Sequence, residues 1–277
     1  MRFFKRLLAA FGCAALLLSL CSCTDWEEGS YVAYICPDGL ELITAERIEN
    51  GECAAILEAI GKSEDEAIST LSERRLFFSA FMPRTENGET TYPVEMALTV
   101  DTNMASRNIF NFSALSSEDW SYIFEQSKKA ITEDEDATFT DFSEVVYHGN
   151  RSIRTEYTVT ENGATANFIV YETVYNGFVY TFFCVTDLPI DDEIRSFAEQ
   201  FYGNITFTKE LQPKYKFIRD MTFADTFKRF LQENWLTMLI VAVATVGGSI
   251  TALFLFARHK KKHKDDPKKI VRADYLK

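Results

Sequence analysis

Histidine is scarce in this chain: three residues among 277, and a single one, His148, ahead of the C-terminal tail. His148 stands beside Gly149 in a stretch that reads as a turn, and no oriented partner or nucleophile can be named for it, so no triad is nominated. Cys-x-x-Cys pairs and His/Cys metal spacings are missing, which argues against a zinc site. Glycine-rich phosphate cradles and nucleophile elbows are missing too. The chain also lacks internal repeats and low-complexity tracts. On this reading there are no catalytic, cofactor-binding or metal-ligating residues to name, and the chain is not expected to be an enzyme.

Charge is present but unevenly placed. Of 29 basic and 41 acidic residues, positions 24–257 hold 17 basic and 38 acidic, whereas 258–277 hold nine basic and three acidic. A body this acidic repels nucleic-acid backbones, so no nucleic-acid partner is expected. The run Glu133-Asp134-Glu135-Asp136 lacks the alternating ligands of a calcium loop and reads as a solvated loop. Three of the six cysteines, Cys13, Cys21 and Cys23, fall in the leader. The other three cannot form a closed disulfide framework. Pairing of Cys36 with Cys53 stays open, while Cys184, inside an apolar run, reads as a small core residue.

Both ends are hydrophobic. Arg2, Lys5 and Arg6 precede the uncharged stretch Leu7 to Thr24, the layout of a secretory signal over residues 1–23. Leu20-Cys21-Ser22-Cys23 resembles a bacterial lipobox, which makes Cys23 the lipidation candidate; cleavage by ordinary signal peptidase is the alternative. Residues 236–257 run 22 positions without a charge, enough at 1.5 Å each to cross a hydrocarbon core of about 30 Å. Trp235 sits at interfacial depth, and the basic tail 258–277 follows as a stop-transfer signal that stays cytoplasmic. Ala244, Gly248 and Ala252 form a small-residue ladder along that helix, the packing candidates for a homo-oligomer. Residues 209–235 read as a juxtamembrane stalk, amphipathic from Phe223, with Phe227, Phe230 and Leu231 placed to lie along a membrane surface.

Between these ends, residues 24–208 read as one folded domain. Strands are expected at Tyr31–Cys36 and Leu40–Thr44 around a Pro37-Asp38-Gly39 turn. Ser63-x-x-Glu66 is a capping box opening a helix to about Ser72. Leu76–Met82 and Tyr92–Val100 pair across Asn87-Gly88. A helix follows from Ser117 to Ile131, with Trp120, Ile123 and Phe124 on its buried face. Four strands, Thr138–Tyr147, Ser152–Thr160, Thr165–Tyr175 and Phe178–Val185, form a meander with Asn-Gly and His-Gly-Asn connectors. The last has apolar residues on both faces and is expected to be central and buried on both. A helix opened by Asp191-Asp192-Glu193 and a closing strand at Asn204–Thr208 end the domain.

The segments Tyr34-Ile35-Cys36-Pro37-Asp38-Gly39, Val170-Tyr171-Glu172-Thr173-Val174-Tyr175-Asn176-Gly177-Phe178-Val179-Tyr180 and Asn204-Ile205-Thr206-Phe207, in this order of elements, resemble the PsbP-like fold of small bacterial lipoproteins. The resemblance covers about residues 31–208. It implies an α+β class, an antiparallel sheet between helices in an α/β/α sandwich, and it names no activity. The C-terminal span with its basic tail departs from that lipoprotein pattern.

Together these features lead to the expectation of a single-pass protein of the cell membrane, its domain outside and its C-terminus in the cytoplasm. The expected role is a binding or scaffold module for another envelope protein. A sensor relaying occupancy of the outer domain to the tail is the alternative, and an enzyme comes last.

Overall fold

The computed structural model describes residues 32–132, 137–161 and 163–233. The leader, the acidic run at 133–136 and everything past 233 lie outside them, and with them Cys23, Ala244, Gly248 and Ala252. The chain divides into two compact units: the larger is Thr24–Asp220, and the other is described only over residues 221–233.

In the larger unit the elements run as follows: strands β1 (Val32–Ala33) and β2 (Glu41–Ile43), helices α1 (Ala45–Glu49), α2 (Ala54–Ala59) and α3 (Glu64–Glu73), then strands β3 (Leu76–Glu86) and β4 (Glu89–Asp101). Helix α4 (Met104–Ile109), a 3₁₀ turn (Phe112–Ala114) and helix α5 (Ser117–Thr132) lead to β5 (Ala137–Tyr147), β6 (Asn150–Glu161), β7 (Ala164–Tyr175) and β8 (Phe178–Thr186). Helix α6 (Asp192–Gly203) and strand β9 (Thr206–Phe207) follow. The protein is therefore α+β. Seven strands form one antiparallel sheet in the order β2-β3-β4-β8-β7-β6-β5, and β1 pairs separately with β9. Strand β8 is central, as its apolar composition suggests, because the meander β5-β6-β7-β8 brings its last strand back beside β4 rather than leaving it at an edge.

Local chemistry explains the main boundaries. Ser63 caps α3 by accepting the Glu66 amide while Glu66 accepts the Ser63 amide at 2.9 Å. Asp191 caps α6 by accepting the Ile194 amide at 2.8 Å. Asn87-Gly88, His148-Gly149 and Asn176-Gly177 all take positive φ at both positions, the type I′ geometry whose twist matches two antiparallel strands. The β3–β4 hairpin is longer than its apolar runs imply and continues through Pro83. It does so because Pro83 falls in a register shift between Met82 and Arg84, where a missing N–H breaks no regular ladder. Helices α1, α2 and α4 have no counterpart in the sequence reading; five or six residues are too few to show a period.

The sheet is covered differently on its two sides. On one, Ile194, Ala198 and Phe201 of α6 meet Phe78, Leu98, Tyr180 and Phe182, all fully buried or nearly so. Phe201 stacks on Phe78 at 4.6 Å and meets Phe182 edge-on at 5.5 Å. On the other side there are two separate clusters. Helices α1 to α3 pack Ile48, Leu57 and Leu71 over Phe81 and Ala97, and Trp120 of α5 packs with Phe112 over Ile153 and Val174. The middle of that side is left half-covered. This corrects one expectation: Tyr180, Phe182 and Cys184 of β8 are buried, but Val179, Thr181, Phe183 and Val185 on its other face are only half-buried.

The unit also extends beyond Thr208, the end expected from the sequence, to Asp220. Three buried asparagines hold this added strap, two of them by its backbone. Asn176 donates to the Lys209 carbonyl at 2.7 Å and accepts the Leu211 amide at 2.9 Å; Asn108 bonds both backbone groups of Ile218. Asn111 donates to the Glu210 carboxylate at 3.2 Å and accepts the Asn176 amide. Arg219 then pairs with Glu118 and Asp119 of α5.

Candidate functional site

Where the two helix groups part, a groove of about 650 Å³ opens across the central strands. Its floor is polar. Thr99 of β4, Thr181 of β8 and Glu172 of β7 are neighbours across the sheet, since Thr181 is in register with Thr99 on one side and with Glu172 on the other. Glu73, Arg74 and Arg75 at the end of α3 form one wall, and Asp101 and Asn103, leading into α4, another. Local backbone needs set these positions. Arg75 adopts φ of 52° to turn the chain from α3 into β3, and Asn103 caps α4 by accepting the Ser106 amide at 2.8 Å.

Most of the groove's charges are already satisfied. Arg75 pairs with Asp101 at 2.8 Å, Glu73 accepts from Ser69 at 2.7 Å, and Thr99 donates to the Arg74 carbonyl at 2.9 Å. Two are not. Among the described residues neither the Arg74 guanidinium nor the Glu172 carboxyl has a hydrogen-bond or ion-pair partner. Burial without a compensating donor pushes the Glu172 carboxyl above the ordinary carboxylate range. A carboxyl so placed gains a partner most readily from a ligand that brings a cation or a donor into the groove.

A second charged group, on the α6 side, is complete within itself. Glu156, with 11% of its side chain exposed, accepts from Arg154 at 2.9 Å and from Arg195 at 2.9 Å, and Arg154 also pairs with Asp141. Burial works against the Glu156 charge, but the two arginines outweigh it and hold the carboxyl below its ordinary range. This network joins β5, β6 and α6 and presents no unsatisfied group for chemistry.

His148 lies on the exposed β5–β6 turn, its Nε2 at 2.7 Å from the Gly203 carbonyl oxygen. Cys36, Cys53 and Cys184 are all free thiols, so Cys36 and Cys53 are not bridged. Cys184 is fully buried in the core, where burial pushes its thiol up to about 12. Among the described residues no group of three His, Cys, Asp or Glu side chains is placed to hold a metal ion. No described helix is long and apolar enough to cross a membrane, and residues 236–257 lie outside the described part. Glu172 was not singled out from the sequence, although one signal was there: it interrupts a strand face that otherwise carries Ala166, Phe168, Val170 and Val174.

No protein-family model matches the chain, and no curated protein matches it. Among solved structures, LpqN of Mycobacterium tuberculosis, involved in cell envelope biogenesis, is similar with 11% identity and a TM-score of 0.37, over 64% of this chain and 83% of LpqN. The cyanobacterial PsbP of Synechocystis sp. PCC 6803 is similar with 13% identity and a TM-score of 0.35, over 66% of this chain and 89% of its own. A protein of unknown function from Pseudomonas aeruginosa gives 12% identity and a TM-score of 0.33, over 50% and 83%. The likeness is thus to PsbP-like and LpqN-type folds at low TM-scores, and it assigns no activity to this chain.

Proposed function

We propose that this chain is a membrane-anchored binding module: a PsbP-like domain outside the cytoplasm that takes a basic group of another envelope protein into the groove over β4, β8 and β7. The observation that supports this reading is Glu172, a half-buried carboxyl at the floor of an open groove with no hydrogen-bond or ion-pair partner among the described residues. A lysine ammonium or arginine guanidinium entering the groove would supply both the countercharge and the hydrogen bonds that Glu172 lacks. The acidic body favours encounter with a cationic partner, and the expected signal and span supply the address.

Titration calorimetry on the full chain in detergent micelles, with n-butylammonium as probe, tests the reading. Saturable weak binding is expected in the native protein, with proton release because pairing lowers the Glu172 pKa. Glu172→Gln is expected to lose it, and butyrate to bind neither form. Equal binding by the native protein and the variant, or none by either, would remove the groove from consideration.

A further inference from the structure

Helix α7 (Phe223–Glu233) belongs to the second unit and carries its own N-terminal cap. Thr222 accepts the Asp225 amide at 3.2 Å, and Asp225 accepts both the Thr222 amide and its hydroxyl. At about 100° per residue, Phe223, Ala224, Phe227, Phe230 and Leu231 fall within an arc of about 120°, and Asp225, Lys228, Arg229 and Gln232 lie outside it, Arg229 buried and Lys228 and Gln232 exposed. The large side chains of this apolar arc are exposed: Phe223 by 83%, Phe227 by 49%, Phe230 by 38% and Leu231 by 36%. Phe223 and Phe227 stack on each other at 6.2 Å, which keeps the stripe continuous. Exposed aromatic residues aligned along one helix face are an unstable arrangement in water.

The sequence that follows points to what covers them. Two residues after α7, Trp235 begins an interfacial position, and the 22 uncharged residues 236–257 start immediately after it. A helix that ends within three residues of a membrane span is held within reach of the lipid surface, whatever its own preferences. Its division into one apolar and one charged face, with low overall hydrophobicity, is the pattern of a helix lying in the plane of the interface rather than crossing it. We infer that α7 lies along the outer surface of the bilayer, with Phe223, Phe227, Phe230 and Leu231 among the upper acyl chains and Asp225, Lys228 and Gln232 toward water. The anchor then begins with an interfacial arm ahead of the expected span.

This inference rests on the membrane-anchor reading, and one experiment separates the two. A diazirine amino acid is placed singly at position 227, 232 or 250 of the full chain, reconstituted in phosphatidylcholine vesicles, and irradiated; lipid adducts are read by mass spectrometry. Adducts at 250 and at 227, several-fold above those at 232, are expected. Adducts at 250 with none at 227, or adducts from 227 to the protein's own chain, overturn the interfacial arm and leave the span standing. Absence of adducts at 250 overturns the anchor itself and the arm with it. Equal adducts at 227 and 232 would mean a helix without a preferred face and would overturn the arm as well.

Discussion

At the scale of single residues, Glu172 and Glu156 are carboxyls on neighbouring strands with opposite electrostatics, and their pH signatures should differ in sign. Glu172 has a folded-state pKa raised by burial. Its native state retains the proton after the unfolded chain has lost it, so stability falls as pH rises past the ordinary value of 4.5 and levels off above the folded value. Glu172→Gln removes that term. The variant is expected to match the native protein near pH 4 and to exceed it at pH 7, as read from urea denaturation midpoints at the two pH values. A variant less stable at pH 7 would show that Glu172 is ionised and compensated in the fold.

The elements of this protein are held in place by turns and caps more than by their own propensities. Gly177 is the clearest instance. It sits at φ of 80° in the β7–β8 turn, its amide donates to the Phe110 carbonyl at 2.8 Å, and its carbonyl accepts from Ser106 at 2.8 Å. A Cβ there would lie 3.5 Å from the Arg107 Cα, an ordinary contact, so space is not the obstacle. The left-handed backbone is, at about 1–2 kcal/mol for an L-residue. Gly177→Ala is therefore expected to destabilise the domain by about that amount in chemical denaturation, and Gly163→Ala, in a turn with nothing near its Cβ, gives a comparison in which only the local backbone is tested.

For the molecule as a whole, the network of Glu156, Arg154 and Arg195 ties the sheet to α6, and its contribution is expected to be lost in acid. Since the folded pKa of Glu156 is depressed, its contribution is complete above 4.5 and is lost as pH falls through the folded value. Arg195 is half-exposed and its share is screened, so Glu156→Gln should cost about 1–2 kcal/mol at pH 7, mainly through the stranded Arg154. The gap between variant and native protein should close below pH 4. A gap that persists in acid would mean that the loss is one of packing rather than charge.

Much of the architecture was legible beforehand, because it follows from short-range rules. Alternating apolar residues and Asn-Gly turns marked the meander, Ser63 and Glu66 marked a helix start, and the mainly apolar β8 marked the sheet's centre. These signals are local: each depends on residues within a few positions, whose backbone preferences act whatever the rest of the chain does. The features that required the tertiary structure are those built from distant residues. The asparagines at 108, 111 and 176 hold the strap at 209–218 by partners that lie 33 to 110 positions away. The groove exists because helices α1–α3 and α5 cover the two ends of one sheet face and leave its middle open, and no periodicity in any single segment records that gap. Sequence alone determined which stretches become strands and which faces are apolar, since those follow from side-chain alternation. Only the fold decided that Glu172 has no hydrogen-bond or ion-pair partner among the described residues, because a carboxyl's neighbours across a sheet are set by register and by what the helices leave uncovered.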